Sequence, residues 1–175
     1  MIRTVLFAVA LALVMEPASA QTARQARAGE MVRLAEGLTL KVTTGTKGLF
    51  PTVKVKGIPF VVVLELDAGN REVALSYKLS AEVKSSDIQL TSGNQRFAPR
   101  AVMEDFPSWG SDNDKEVELV DPADSGDVSL NFRKAGSVSI LFDLPADQVA
   151  APKKLSVAVR TLKPSEEEHS VIVTL

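Results

Sequence analysis

The sequence predicts an all-β protein, an immunoglobulin-like antiparallel β-sandwich of about seven to nine strands. Three observations support this fold class. Apolar and polar residues alternate with a period of two from residue 30 onward, which is typical of strands with one buried face. Turn residues, mainly glycine and asparagine, separate these strands at short intervals. No segment shows the pattern of a long amphipathic helix.

The chain begins with the features of a secretory signal. Arg3 precedes an unbroken apolar run of 11 residues, from Val5 to Met15, and a proline and then Ala18-Ser19-Ala20 follow. A bilayer span needs about 20 residues, so an uncleaved membrane anchor is the less favoured alternative. We therefore expect residues 1–20 to be a cleavable signal peptide and the protein to be exported, to the periplasm or beyond the cell.

The remaining chain predicts one domain. Residues 21–29 are polar and alanine-rich, which predicts a flexible lead-in, and the sandwich is expected over residues 30–175. The apolar run from Ile58 to Leu66 predicts a central strand covered on both faces. Turns at Ala68-Gly69-Asn70 and Lys134-Ala135-Gly136 predict hairpins. Alternation predicts further strands over residues 38–43, 53–56, 72–79, 128–133, 137–144, 155–160 and 171–173.

The composition excludes several classes of function. The 175-residue chain has no cysteine, which excludes disulfides, thiolate metal sites and a thiol nucleophile. Its net charge is −2 and its basic residues are scattered, so a nucleic-acid partner is not expected. No second apolar stretch has the length of a bilayer span, so we expect no membrane span in the mature chain.

Residues 91–127 depart from the strand pattern, and only residues 117–119 look strand-like. An unpatterned segment of this length is often functional. It contains Phe97, Phe106 and Trp109, and rigid aromatic rings on a loop are typical of a protein-binding surface. We therefore expect a binding loop at residues 97–110. The alternative is that the three rings turn inward and close one end of the sandwich.

The same segment contains two groups of acidic residues that are candidate calcium ligands. They are Asp112, Asp114 and Glu116, followed by Asp121, Asp124 and Asp127. Loops dense in aspartate supply the hard oxygen atoms that calcium needs. The first group lacks the glycine and the closing glutamate of a calcium loop, so solvated surface charge is the competing interpretation. No other cofactor is expected.

The sequence shows no catalytic constellation. His169 is the only histidine and follows three glutamates, so it is a candidate general base if the protein is an envelope hydrolase. A carboxylate pair for glycoside chemistry is a further alternative, although no spacing selects one among the acids that follow the signal. No nucleophile elbow, phosphate-binding glycine loop or zinc-ligand spacing accompanies it. A solvated histidine at the start of the last strand is the favoured interpretation, and we expect the protein not to be an enzyme.

Two passages resemble the DUF4352-type family of secreted immunoglobulin-like β-sandwiches. In the first, Ser92-Gly93-Asn94-Gln95-Arg96-Phe97-Ala98-Pro99, a strand passes through a polar turn to an aromatic residue and a proline. The second runs from Gly136 to Phe142 and ends in Asp143-Leu144-Pro145. The resemblance covers residues 29–160 and implies a sandwich fold with an extracytoplasmic location. It implies no catalytic residues.

The sequence therefore favours a noncatalytic exported sandwich that binds another envelope or secreted protein through residues 97–110. Two alternatives stay open. One is a calcium- or small-ligand-binding periplasmic module. The other is a small proteinase inhibitor, because β-sandwich inhibitors are similar to this chain in having an aromatic, proline-rich loop between strands. The sequence specifies neither the partner nor the oligomeric state.

Overall fold

In the computed structural model of the protein, the chain forms an all-β sandwich, which confirms the predicted fold class. The structure describes residues 23–69, 71–78, 87–107, 115–120, 127–132, 134–163 and 165–175. The predicted signal peptide at residues 1–20 lies outside these ranges. No helical segment within them is long and apolar enough to cross a membrane.

The described ranges contain thirteen strands, more than the seven to nine predicted. The strands are β1 (Arg24–Arg27), β2 (Met31–Ala35), β3 (Leu38–Thr44), β4 (Ile58–Asp67), β5 (Glu72–Lys78), β6 (Ile88–Ser92), β7 (Gln95–Phe97), β8 (Ala101–Pro107), β9 (Lys115–Val120), β10 (Asp127–Phe132), β11 (Gly136–Leu144), β12 (Lys153–Lys163) and β13 (Glu167–Thr174). Short 3-10 helices occur at Lys47–Leu49 and Ala146–Gln148.

The strands form two sheets that pack face to face. Sheet A has the order β1, β13, β12, β5 and β10, with β6 beside β12 and β7 beside β6. Sheet B has the order β2, β3, β4, β11, β8 and β9. Apart from the parallel pair of β1 and β13, the neighbouring strands are antiparallel. The main core lies between the sheets.

Strand β4 is central and its middle is covered on both faces, as its apolar sequence predicts. It pairs with β3 on one side and with β11 on the other. Val62 and Leu64 point into the main core, whereas Val61 belongs to a second apolar cluster on the opposite, outer face of sheet B. A continuous apolar run is needed here because successive side chains enter different apolar layers.

The two predicted hairpins are wrong. The turn at 68–70 joins β4 in sheet B to β5 in sheet A, and the turn at 134–136 joins β10 in sheet A to β11 in sheet B. Gly69 has a φ of 57°, so the turn chemistry itself is as expected. A hairpin within one sheet and a connection between the two sheets both bury one face of each strand in the same core. Alternation and turn residues therefore predict the reversal of the chain without predicting the strand partner.

The expected flexible lead-in at residues 21–29 is also wrong for β1. This strand pairs parallel with β13, and Ala26 packs against the main core. Gly29, with a φ of 85°, then allows the turn that leads the chain to β2 in the other sheet. The strand was missed because it is four residues long and only Ala26 faces the core, so it has no visible alternation.

Two further expectations need correction. Residues 53–56, predicted as a strand, form an extended segment outside both sheets, and Val53 and Val55 pack on the outer face of sheet B. The region 91–127, interpreted as unpatterned beyond residues 117–119, contains β7, β8 and β9 and the end of β6. Strand β8 lies between β11 and β9, so it is part of the sheet and not a loop.

Candidate functional site

The structure places two of the three aromatic residues of the predicted binding loop in strands. Phe97 is the last residue of β7, is partly buried and packs against the main core. Phe106 lies in β8, opposite Glu116 of β9. Trp109 lies outside the described residues. The loop interpretation of residues 97–110 is therefore wrong for Phe97 and Phe106, which the fold places in strands.

The predicted calcium ligands are not brought together in the part of the chain that the structure describes. Glu116 lies in β9 of sheet B and Asp127 is the first residue of β10 of sheet A. The other four acids, Asp112, Asp114, Asp121 and Asp124, lie outside the described residues. Among the residues that are described, no three histidine or carboxylate side chains could hold a metal ion together.

His169 is buried, which corrects the expectation of a solvated histidine. Its side chain is 5% exposed, and it shares the inward face of β13 with Val171 and Val173. Polar contacts join β12 to the start of this strand: Thr161 Oγ1 donates to Ser165 O at 2.9 Å and accepts from the Glu167 N–H at 3.1 Å. The register of β13 places the imidazole on the inward face of the strand.

The surroundings of His169 favour its neutral form. Burial lowers the pKa of the imidazole, and the positive charges of Arg24 and Arg71 lower it further, against an opposing effect of Glu167. The Nε2 atom lies 3.7 Å from Glu167 Oε2 and has no hydrogen-bond partner. A buried imidazole with a lowered pKa is poorly placed to exchange protons with a substrate in solution.

The outer face of sheet B is covered by its own chain. Residues 45–57, between β3 and β4, fold over this face, and Phe50 is fully buried against Val61, Ala101 and Leu141. Gly45 lies so close to the sheet that a Cβ atom there would be 2.8 Å from Val61 Cγ1. We name this segment the sheet B cover. It shields an apolar surface that would otherwise be exposed to water.

The outer face of sheet A, in contrast, carries an open groove with a volume of about 370 Å³. Alternate residues of β12 and β13 form its floor, and residues of β6 form one wall. We name this depression the sheet A groove. Small polar, charged and apolar residues all contribute to its lining, which consists of Ala23, Asp87, Gln89, Ser156, Val157, Ala158, Glu168, Ser170, Val171 and Ile172.

A charged pair lies where β12 changes its partner strand. Residues 153–157 of β12 pair with β6, and residues 160–163 pair with β5. At this change, Arg160 Nη2 donates to both carboxylate oxygens of Asp87 at 2.8 and 2.7 Å. The hydrogen bond and the charge of Asp87 raise the pKa of Arg160. Glu168 lies 3.8 Å from Arg160 Nε, and its side chain is 59% exposed at the groove rim.

No protein-family model and no curated protein matches this chain. Two solved structures are similar to most of it. Spo0M, a sporulation control protein from Bacillus subtilis, has 7% identity over 79% of this chain and 50% of its own, with a TM-score of 0.32. A family 123 glycoside hydrolase from Clostridium perfringens has 12% identity over 77% of this chain and 26% of its own, with a TM-score of 0.26.

The chain thus spans half the length of Spo0M and about a quarter of the length of the hydrolase. Similarity at these TM-scores identifies neither a family nor an activity. The resemblance to the DUF4352-type family accordingly stays a prediction.

The sequence pattern does not predict the sheet A groove. The only signal is that three central outward positions of β12 and β13 are small, at Ser156, Ala158 and Ser170. The register places Ala158 opposite Ser170 and Ser156 opposite Ile172. Such residues have no chemical signature of their own. They form a groove only because the strand pairing places them side by side.

Proposed function

We propose that the protein is an exported, noncatalytic binding module that holds another envelope or secreted protein on the outer face of sheet A. The sheet A groove is the observation that carries this proposal. Its floor of small side chains allows a partner chain to approach the sheet closely. Its rim carries the Asp87–Arg160 pair and Glu168, and such charged and hydrogen-bonding groups fix the orientation of a partner.

Export is supported by the N-terminal residues. The apolar run from Val5 to Met15 is too short for a bilayer span and precedes the small residues Ala18-Ser19-Ala20. Signal peptidase cleaves after such a small-x-small sequence. The absence of cysteine agrees with a domain that depends on its apolar core and not on disulfides.

The position of the single histidine supports a noncatalytic role. A general base must come within hydrogen-bond distance of the proton it removes. His169 is buried in the inward face of β13, whereas the sheet A groove is on the outer face of the same strand. A hydrolase that depends on His169 would need a substrate to reach the interior of the sandwich.

An affinity capture experiment tests this function. The 21–175 protein is immobilised and exposed to an envelope extract from the source cells, beside Ser170→Trp, which fills the groove. Thr44→Trp, an equally large change at an exposed position of sheet B, is the matched control. We expect wild type and the control to retain the same protein and Ser170→Trp to lose it. Gln89→Trp fills the groove from another strand and should also lose the partner. Agreement of the two variants would show that the loss in Ser170→Trp does not come from a local folding defect at Ser170.

The aromatic residues give the competing location for the same function. Phe106 and Trp109 are replaced together by alanine, and the melting temperature shows whether the variant is folded. A folded variant that loses the partner, while Ser170→Trp keeps it, would move the binding surface to the region of residues 106–109. If wild type retains no protein under any condition, the binding function itself is contradicted.

The calcium alternative stays a prediction and has a separate test. A ligand that binds only the folded state raises the melting temperature by mass action. Millimolar calcium should therefore raise the melting temperature of the 21–175 protein if the acids between residues 112 and 127 form a site. An unchanged melting temperature would remove this alternative.

A further inference from the structure

A row of basic residues crosses the outer face of sheet A at the end where β12 begins. Strand pairing places one residue from each of five strands side by side, and in spatial order they are Arg27, Thr174, Lys154, Thr91 and Arg96. We name these residues the cationic row. Its three basic residues are distant in the sequence, where they look scattered, and only the strand pairing brings them together.

The basic side chains of the cationic row point to the solvent. Their neighbours along the strands face inward, since Leu155 belongs to the main core and Ala26 and Phe97 pack against it. Because side chains alternate along a strand, the residues of the row lie on the opposite, outer face of the sheet. All three basic residues of the row are accordingly exposed.

The positive charge of the row is not neutralised within the described ranges. None of its basic residues forms an ion pair with an acidic residue of these ranges. Two acids lie in the connections at this end of the sheet. Glu30 accepts the backbone N–H of Arg27 at 2.8 Å, and Asp147 accepts the side-chain amide of Gln148 at 3.2 Å. The next row toward the groove is uncharged and consists of Gln25, Ile172, Ser156 and Gln89.

The opposite end of the same face carries negative charge. Glu168 is 59% exposed there, beside the pair of Asp87 and Arg160. From Lys154 to Arg160 the extended strand β12 spans about 20 Å, and the sheet A groove lies between the two ends. A uniformly anionic surface such as a lipid bilayer would be repelled by Glu168. The charge pattern therefore favours a partner that is acidic at one end of the contact only.

The spacing of the basic residues matches an extended polypeptide. Neighbouring strands lie about 4.8 Å apart, so basic residues on every second strand are about 10 Å apart. A polyproline II segment has three residues per turn and rises about 3.1 Å per residue, so every third side chain returns to one face after about 9.3 Å. Successive strands are rotated by about 20–25°, and the long basic side chains can follow this twist.

We propose that the partner places an extended acidic segment across the strands of sheet A, along the cationic row, with carboxylates three residues apart. Each carboxylate meets one basic residue, and the hydroxyl groups of Thr91 and Thr174 between them donate to backbone carbonyl oxygens of the segment. This rests on the proposed function, because it specifies the protein that the outer face of sheet A would hold. The remainder of the partner then lies over the sheet A groove.

A titration with synthetic peptides tests the proposal. The isotope-labelled 21–175 protein, which contains every described strand, is titrated at low ionic strength and followed by NMR. The probe is a peptide of three Glu-Pro-Pro repeats, and its matched control has the three glutamates adjacent and the six prolines after them. We expect the repeat peptide to shift the resonances of the cationic row. It should bind at least about fivefold more tightly than the control, the contribution of one favourable exposed ion pair.

Two double variants separate the cationic row from a general effect of charge. Arg96→Gln/Lys154→Gln should bind the repeat peptide about tenfold more weakly, because each exposed ion pair contributes up to about fivefold. Lys54→Gln/Lys56→Gln removes the same charge from the sheet B cover, where both lysines are exposed, and should bind like wild type. Added salt should weaken the binding of wild type, because it screens the ion pairs. Melting temperatures confirm that each variant is folded.

Equal affinity for the two peptides, no binding, or an equal loss in the two double variants would overturn the proposal. Polygalacturonate, a linear anionic polysaccharide, is the second probe, and its binding at the row without binding of the repeat peptide would overturn a polypeptide partner. The capture experiment reports separately on the proposed function. A protein that is captured by wild type and equally by Arg96→Gln/Lys154→Gln would support the proposed function and overturn the role of the cationic row.

Discussion

Sheet B carries apolar layers on both of its faces, whereas the described residues of sheet A form an apolar cluster only on the face toward the core. The outer layer of sheet B is closed by Phe50 and the rest of the sheet B cover. The outer face of sheet A has no such cover in the described ranges and instead presents the small and charged residues of the groove. One sheet is thus stabilised by its own chain on both sides, and the other keeps a surface open.

Under the proposed function, this difference separates a sheet that depends on apolar burial for its stability from a sheet that is open for binding. An apolar outer face would be a liability in water, so sheet B depends on residues 45–57 for its integrity. The described outer face of sheet A combines small polar and charged residues with Ile172, so it tolerates water and, under the proposed function, exchanges it for a partner. Sheet A is held partly by polar contacts, such as the Asp87–Arg160 pair and the hydrogen bonds of Thr161. We therefore expect apolar truncations to affect sheet B most and changes of pH or salt to affect sheet A most.

Truncation of the cover should give the largest effect. Phe50→Ala removes a fully buried ring and leaves a cavity over Val61 and Leu141, so the free energy of unfolding should fall by about 3–5 kcal/mol. Chemical denaturation measures the loss. Leu49→Ala, the exposed neighbour, is the control and should cost less than about 1 kcal/mol. Similar losses in both variants would show that the cover does not stabilise sheet B.

The sequence predicts the parts of the fold in which a local pattern has a single structural meaning. The run from Ile58 to Leu66 has this property, because a strand that is apolar almost throughout and β-branched in its middle is favoured between two apolar layers. The alternation in residues 137–144 and 155–160 likewise predicts strands that the structure contains as β11 and β12. Neither pattern depends on the identity of the neighbouring strand.

The predictions from the sequence are wrong where one pattern fits two structures. Val53 and Val55 alternate with lysines, but they cover a sheet instead of joining one. The groove cannot be predicted for a related reason. Its residues come from β6, β12 and β13, and Asp87 meets Arg160 across 73 positions of sequence. His169 was misjudged because its glutamate neighbours suggest solvent, while the register of β13 turns it inward.

Acidification should give the next largest effect, and it should act through sheet A. The folded state lowers the pKa of His169, so the unfolded state takes up a proton before the folded state does. The contribution of His169 to stability is therefore complete above the ordinary histidine pKa of about 6.5 and is lost as the pH falls below it. The melting temperature of wild type should fall between about pH 7.5 and about pH 5.5.

His169→Gln is the matched variant because it keeps a polar side chain of similar size without the titration. Its melting temperature should change less over the same pH range. Arg24 and Arg71 oppose protonation and Glu167 favours it, so Glu167→Gln should steepen the loss in the wild-type background. Equal pH dependence of wild type and His169→Gln would assign the acid sensitivity to other groups.

The smallest effect should come from the charged pair beside the groove. Asp87→Asn removes the carboxylate charge from Arg160, whose side chain is 41% exposed, so the free energy of unfolding should fall by about 1 kcal/mol or less. The loss should shrink in about 0.5 M salt, because added ions screen the pair. Glu65→Gln, which removes the 3.0 Å surface pair with Lys41 on sheet B, is the control. A decrease in the free energy of unfolding as large as that of Phe50→Ala would contradict the view that apolar burial in sheet B contributes more to stability than the charged pair on sheet A. A small loss of stability with a clear loss of partner capture would instead place Asp87 in the binding surface.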